Sequence, residues 1–270
     1  MKLCRFQPSE DAAKLQGKSI REIYATSHTG ILEDKTIREI SGELWGDRVE
    51  TGRKFRADEV QFFPPSWPSK IVCVGRNYLG HISEMKSEQP KEPLIFLKPP
   101  SAILAPEGTI VMPPSSQRVD YEGELAVIIA RQCSKPRPDE PVRPYIAGYT
   151  CINDVTARDL QNLDVQFTRA KGFDTFCPFG PVLETEAPGP DALLETYVNG
   201  TKKQSSKLEL MIFSVDTIVR WVAQIMTLEP GDLIATGTPE GVSPLANGDQ
   251  VEVRISGVGV LKNKVAGPKA

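Results

Sequence analysis

The chain has 270 residues, 40% hydrophobic and 25% charged, enough for one large domain, or a main domain with a small appendage, around a real core. A formal net charge of -3 argues against nucleic acid or an anionic membrane as partner. No stretch reaches the length of a membrane span, and the opening Met1-Lys2-Leu3-Cys4-Arg5 has no apolar signal core, so a cytoplasmic protein is expected.

The five cysteines are scattered, with no Cys-x-x-Cys pair, which points to free thiols in a reducing cytosol and away from a disulfide framework or zinc site. Residues 1–63 read as a small separate unit. Its short apolar stretches, 20–25, 36–40 and 59–63, alternate with glycine-containing turns and favour small strands. His28 falls in a polar Ser27-His28-Thr29-Gly30 turn, the setting of a surface histidine. Pro64, Pro65 and Pro68 then mark a linker.

Residues 70–75 form a short apolar strand, followed by Arg76-Asn77-Tyr78-Leu79-Gly80-His81-Ile82-Ser83-Glu84-Met85. In a helix, His81 and Glu84 are three apart and share a face, close enough for the carboxylate to orient the imidazole. A surface pair near a helix end has the same spacing. The polar stretch 86–93, with two prolines, reads as a loop, and 94–97 as another short strand.

Val119-Asp120-Tyr121-Glu122-Gly123-Glu124-Leu125 runs into Ala126-Val127-Ile128-Ile129. As one strand, it sets Glu122 and Glu124 on the face of Ala126 and Ile128, while Gly123, Leu125, Val127 and Ile129 take the other. Neither face is polar, so two carboxylates enter a strand that looks buried on both sides. Buried anions need compensating charge, which a divalent cation would supply. The bland alternative is a pair at the exposed start of the strand.

Downstream, 145–153 runs extended to Asp154, and a helix from about Thr156 places Gln161 two turns on, on roughly the same side. Lys171, between Ala170 and Gly172, either reaches solvent or projects into a cleft. Asn199-Gly200 marks a hairpin with a type I′ turn. The clearest helix spans 215–228, with Ser214 as N-cap, an apolar stripe of Ile218, Trp221, Val222 and Ile225, and Pro230-Gly231 beyond it. A strand at 232–235 empties into Thr236-Gly237-Thr238-Pro239-Glu240-Gly241-Val242, whose backbone N–H groups can face an anion or merely make a tight turn. Residues 251–255 and 258–261 close the chain as a strand pair.

Glu122, Glu124 and Asp154 make an all-oxygen set that suits Mg²⁺ or Mn²⁺ and disfavours zinc or copper. Three anions and one dication sum to -1, so an anionic substrate needs further cations, and Lys171 and Arg76 are the candidates. A 2-oxo acid or a 1,3-dicarbonyl could chelate the open positions, the metal stabilising the enolate formed next to it.

Five blocks together, Val74-Gly75-Arg76-Asn77-Tyr78 to His81, Asp120-Tyr121-Glu122-Gly123-Glu124-Leu125, Asn153-Asp154-Val155-Thr156-Ala157-Arg158-Asp159, Ala170-Lys171-Gly172-Phe173-Asp174 and Thr236-Gly237-Thr238-Pro239-Glu240-Gly241-Val242, resemble the fumarylacetoacetate hydrolase family from residue 70 onward. Residues 1–65 resemble the small N-terminal β-rich unit of many bacterial members. The resemblance implies an α+β, β-dominated fold, a mixed β-sandwich roll at 70–270, assembled as a homodimer. It implies metal ligands Glu122, Glu124 and Asp154, substrate contacts from Arg76, Gln161 and Thr238, and Lys171 as enolate stabiliser. It also makes His81 and Glu84 a water-activating dyad on a lid. The expected reaction is metal-dependent C–C hydrolysis of an acylpyruvate-type diketo acid. Oxaloacetate decarboxylation or tautomerisation, or isomerisation of a hydroxy-diene diacid, stands as the alternative on the same site.

Overall fold

The computed structural model describes residues 1–268. In chain order the strands are Lys2–Pro8 (β1), His28–Glu33 (β2), Thr36–Gly42 (β3), Arg48–Arg56 (β4), Val60–Phe63 (β5), Ile71–Gly75 (β6), Leu94–Lys98 (β7), Ile103–Leu104 (β8), Thr109–Val111 (β9) and Val119–Asp120 (β10). They continue with Gly123–Ile129 (β11), Ile146–Asn153 (β12), Thr156–Ala157 (β13), Cys177–Glu184 (β14), Leu193–Val198 (β15), Thr201–Lys207 (β16), Leu233–Ala235 (β17), Gln250–Ile255 (β18) and Gly259–Ala266 (β19). The helices are short: Ile20–Thr26 (α1), Leu79–Glu84 (α2), Arg158–Leu163 (α3), Thr168–Lys171 (α4) and Val215–Ile225 (α5). Strands dominate, as the α+β, β-dominated expectation requires. No helix among the described residues is long and apolar enough to cross a membrane.

Twelve strands join one sheet, in the order β4-β3-β2-β1-β14-β12-β11-β17-β6-β7, with β5 on β1 and β8 on β14. Residues 1–63 therefore share a sheet with the rest of the chain, through the antiparallel pairing of Leu3 with Leu183. A second sheet runs β16-β15-β18-β19-β9 and packs against it. Strand β11 sits near the middle, and every residue of it is buried. Leu125, Val127 and Ile129 enter the core cluster that lies towards the second sheet and α5. Ala126 and Ile128 enter the cluster on the opposite side, with Cys73, Phe179 and Leu233. The lack of a polar face thus has its expected cause.

Four local expectations change. Residues 20–25 are helical, because Ser19 and Glu22 close a capping box: the Ser19 hydroxyl accepts from the Glu22 N–H and Glu22 accepts from the Ser19 N–H. His28 opens a strand instead of sitting in a turn, and its imidazole is held at 2.6 Å by Glu39. The stretch from Val119 is two strands, since Val119–Asp120 pairs with β13 while Gly123–Ile129 pairs with β12, so Tyr121 and Glu122 bridge between them. Helix α5 ends at Ile225, since Met226 turns extended and Leu228 pairs with Cys133. The hairpin stands as expected, with Asn199 and Gly200 at positive φ (50° and 75°).

Since β11 is packed on both sides, Ile128→Ala should cost about 2–5 kcal/mol, and Val165→Ala, at a side chain 99% exposed, no more than about 0.5 kcal/mol. Denaturant midpoints of the two variants check this; equal midpoints would contradict the two-sided core.

Candidate metal centre and active site

Strand ends and turns from four parts of the chain converge on one cavity of about 200 Å³. Glu124 comes from β11, Glu122 from the bridge before it, Asp154 from just past β12, and Lys171 from the end of α4. Gly123 opposite Asn153 fixes their register. Gly123 itself must lack a side chain, since a Cβ there would lie 2.1 Å from the Thr196 hydroxyl. Arg76, His81, Arg158, Gln161 and Thr238 line the same cavity.

The three carboxylates are buried, and one oxygen or more of each approaches the others within 4.8 Å. Each is gripped from behind. Asp154 Oδ1 accepts from Lys98 at 2.6 Å, Glu122 Oε1 from Arg158, and Glu124 Oε2 from the Gly237 N–H at 2.7 Å. The remaining oxygens of Glu122 and Asp154 both accept from the Lys171 ammonium, at 2.8 and 2.6 Å. Arg158 also holds Asp120 at 2.9 Å and donates to Gln161.

The charge count therefore differs from the one drawn above. Four buried carboxylates (Asp120, Glu122, Glu124, Asp154) meet three buried cations (Lys98, Arg158, Lys171). Arg118 pairs with Asp120 from outside at 2.9 Å, so among the described residues Glu124 is the one carboxylate of the four with no ion pair of its own. Burial, then the neighbouring Asp154 and Glu122, push its carboxyl well above the ordinary range. Glu122 moves the other way: burial opposes its charge, but Lys171 and Arg158 outweigh that and hold it far below the usual range. The fit to a hard dication is good. The donors are all oxygen, two of them already take a cation in the Lys171 ammonium, and the third lacks one. A dication that replaced the Glu124 proton would leave the buried set with a surplus of one positive charge, and Arg76 in the cavity lining adds another.

His81 is buried in the cavity wall, its Nδ1 3.3 Å from Glu84 Oε2. Both Glu84 oxygens accept from the Gly241 N–H, at 3.2 and 3.3 Å. The glycine turn 236–242 thus presents its N–H groups to anions, and the anions are the protein's own carboxylates, Glu124 and Glu84. Gly237 and Gly241 hold φ of 100° and 96°, which that path needs. Thr238 lines the cavity, while its hydroxyl donates to the Gly123 carbonyl at 2.9 Å and accepts from Gln204 at 2.8 Å. Arg76 sits at φ 59°, a left-handed turn by which the chain leaves β6 for α2.

Lys98 and the role of Arg158 escaped the sequence reading. Arg158 stands four residues after Asp154, a spacing that was there to be used, whereas Lys98 closes an apolar strand, where a lysine ordinarily reaches water.

The sequence pattern of the fumarylacetoacetate (FAA) hydrolase C-terminal domain matches residues 70–266. The chain belongs to the fumarylacetoacetate hydrolase family. An Rv2993c-like N-terminal pattern matches residues 1–65. The chain is 41% identical over 220 residues to human mitochondrial oxaloacetate tautomerase FAHD2B, covering 77% of this chain and 70% of that one. It superposes on 2-hydroxyhepta-2,4-diene-1,7-dioate isomerase from Mycobacterium marinum with a TM-score of 0.86, 39% identity and full coverage of both chains. Fumarylpyruvate hydrolase from Pseudomonas aeruginosa, solved with Mn²⁺ and pyruvate, gives a TM-score of 0.69 at 29% identity, over 76% of this chain and 91% of that one.

A dication at this centre must displace the Glu124 proton. The raised carboxyl means the folded metal-free protein holds that proton more tightly than the unfolded chain does. The stabilisation it brings is complete below the unfolded value and fades as pH climbs through the raised one. The rise in Tm on adding Mn²⁺ should therefore be larger at about pH 8 than at about pH 6, and Glu124→Gln should lose most of it. Scanning calorimetry with and without Mn²⁺ tests this; an unchanged Tm in the wild type would speak against a metal centre.

Proposed function

We propose that this chain enolises a small 2-oxo acid carrying a second carboxylate, interconverting keto and enol forms of an oxaloacetate-type substrate. The observation that carries the proposal is the burial of His81, a base with an orienting carboxylate, in the same cavity as the three metal-binding carboxylates and Lys171. The cavity holds about 200 Å³, roughly six or seven waters at ~30 Å³ each, which suits an acid of four or five carbons. The surplus of positive charge that a dication would create suits a dianion.

Mg²⁺ or Mn²⁺ held by Glu122, Glu124 and Asp154 would supply Lewis-acid stabilisation of the negative charge that develops on the substrate oxygens. The chain's own groups do the rest. Arg76 meets a substrate carboxylate, and Gln161, fixed by Arg158, presents its side-chain amide to a substrate oxygen; Thr238, whose hydroxyl proton goes to the Gly123 carbonyl, offers its backbone N–H from the turn. Glu84 at Nδ1 sets the His81 tautomer, leaving Nε2 to take the proton from the carbon between the two carbonyl groups and return it to oxygen. Lys171 donates to the enolate oxygen and is kept protonated by Asp154 and Glu122, which outweigh its burial. The relatives named as a tautomerase and an isomerase support a rearrangement of the substrate over its cleavage.

Acylpyruvate C–C hydrolysis is the second reading, favoured by the same His81–Glu84 pair, which can polarise a water, and by the Pseudomonas relative. The five cysteines, all buried and unpaired, support a reducing, cytoplasmic setting, and the homodimer of the family is the assembly we infer.

Turnover of oxaloacetate keto–enol exchange, oxaloacetate decarboxylation and acetylpyruvate cleavage should be measured side by side with Mn²⁺ and with EDTA. Keto–enol exchange should dominate and vanish with EDTA, and His81→Ala should lower it by about 10²- to 10⁴-fold. Dominant acetylpyruvate cleavage would transfer the assignment to the hydrolase reading, and exchange retained in His81→Ala would remove the base from His81.

A further inference from the structure

The residues that complete this centre from outside lie on one face of one strand. In β7, Phe96 and Lys98 are two apart and project to the same side. Lys98 has a side chain wholly removed from solvent, and its ammonium donates to Asp154 Oδ1 at 2.6 Å and to the Val155 carbonyl at 3.1 Å. Those two acceptors come from successive residues, so the ammonium ties the Asp154 carboxylate to its own backbone and sets its rotation. Phe96 takes the other partner of the same ion pair: the Lys171 ammonium lies 5.0 Å from its ring centroid. Phe167 meets that ring in a T-shaped contact at 5.5 Å. A cation over an aromatic face is attracted by the ring quadrupole, the more so when water is kept away.

We propose that Lys98 and Phe96 are positioning residues of this centre. Lys98 aims Asp154 Oδ2 at the metal position, and Phe96 aims the Lys171 ammonium between the carboxylates and the substrate. The proposal rests on the metal-dependent reading above.

The two roles open to Lys98 predict opposite signs. If Lys98 only balanced charge, removing a cation beside a dication site would tighten metal binding. If it positions Asp154, its removal frees the carboxylate to turn away, and metal binding weakens even though a repelling charge has gone. Loss of a partner that orients a metal ligand typically costs about 10- to 100-fold in metal affinity.

The experiment is a calorimetric titration of metal-free protein with Mn²⁺ alone, for the wild type, Lys98→Met, Phe96→Leu and Phe96→Tyr, each first checked for cooperative unfolding. We expect Lys98→Met to bind Mn²⁺ about 10- to 100-fold more weakly. Phe96→Leu should bind it like the wild type but lose kcat with KM nearly unchanged, and Phe96→Tyr, which keeps the ring, should restore kcat. Should Lys98→Met fail to fold, Lys98→Gln, with a shorter uncharged donor, enters the same comparison. Mn²⁺ binding by the Lys98 variant as tight as in the wild type, or tighter, overturns the positioning role while leaving the metal reading standing. Phe96→Tyr no better than Phe96→Leu overturns the role of the ring. A wild type that binds no Mn²⁺ overturns the metal reading and the proposal together.

Discussion

Burying Glu122, Glu124 and Asp154 within one small volume is possible only because Lys98, Arg158 and Lys171 are buried with them. An isolated carboxylate in such a place would take up a proton, and three of them would repel one another apart. Each cation is also a geometric clamp, since an ammonium or a guanidinium fixes the oxygen it holds and so decides which one is left facing the cavity. Arg158 shows this most fully, reaching Asp120, Glu122 and Gln161 from a single guanidinium. Glu124 is left without a cation of its own and is held by the Gly237 N–H alone.

The fold exists in the form needed to hold that network rigid. Strand β11 is gripped by β12 on one side and β17 on the other, with cores on both faces, so Glu124 is delivered from a strand paired on both edges and buried along its whole length. Lys98 and Phe96 arrive from β7, which ends the same sheet. Asp154 follows directly after β12, and its N–H donates to the Glu122 carbonyl at 2.8 Å, so two of the three carboxylates are linked through backbone as well as through the shared Lys171 ammonium. Sites built on sheet ends in this way keep their geometry better than sites on free loops.

Much of this was legible in the residues, and what was not has identifiable causes. Alternation from Leu125 onward showed a strand buried on both faces, and acidic residues at its head showed where charge would have to be balanced. The break at Tyr121 and Glu122 was hidden, because a chain that switches from one pairing partner to another keeps an extended pattern throughout. Helix α1 was misjudged for a different reason: Ile20, Ile23 and Tyr24 keep a helical spacing over only seven residues, and the deciding start signal lay in the Ser19–Glu22 spacing. Lys98 was invisible to pattern reading, since a lysine at the end of an apolar strand usually reaches water. Only the partner, Asp154, fifty-six residues away, makes it a buried group.

The glycine turn 236–242 links the His81–Glu84 pair to the three clustered carboxylates. Gly237 donates to Glu124, and Gly241, four residues on, donates to Glu84, which in turn holds His81. A shift of this turn would therefore move Glu124 and Glu84 together. The turn is itself pinned, through the Thr238 hydroxyl bonded to the Gly123 carbonyl and through Asn77, whose amide donates to the Thr236 carbonyl at 2.7 Å. Asn77 lies immediately before Tyr78, the N-cap of α2, the helix that carries His81. The loop that introduces the base is thus bonded to the turn that steadies the carboxylates. That closed circuit gives a physical reason why the Arg76-Asn77-Tyr78 and Thr236-Gly237-Thr238 blocks, far apart in the chain, occur together in it.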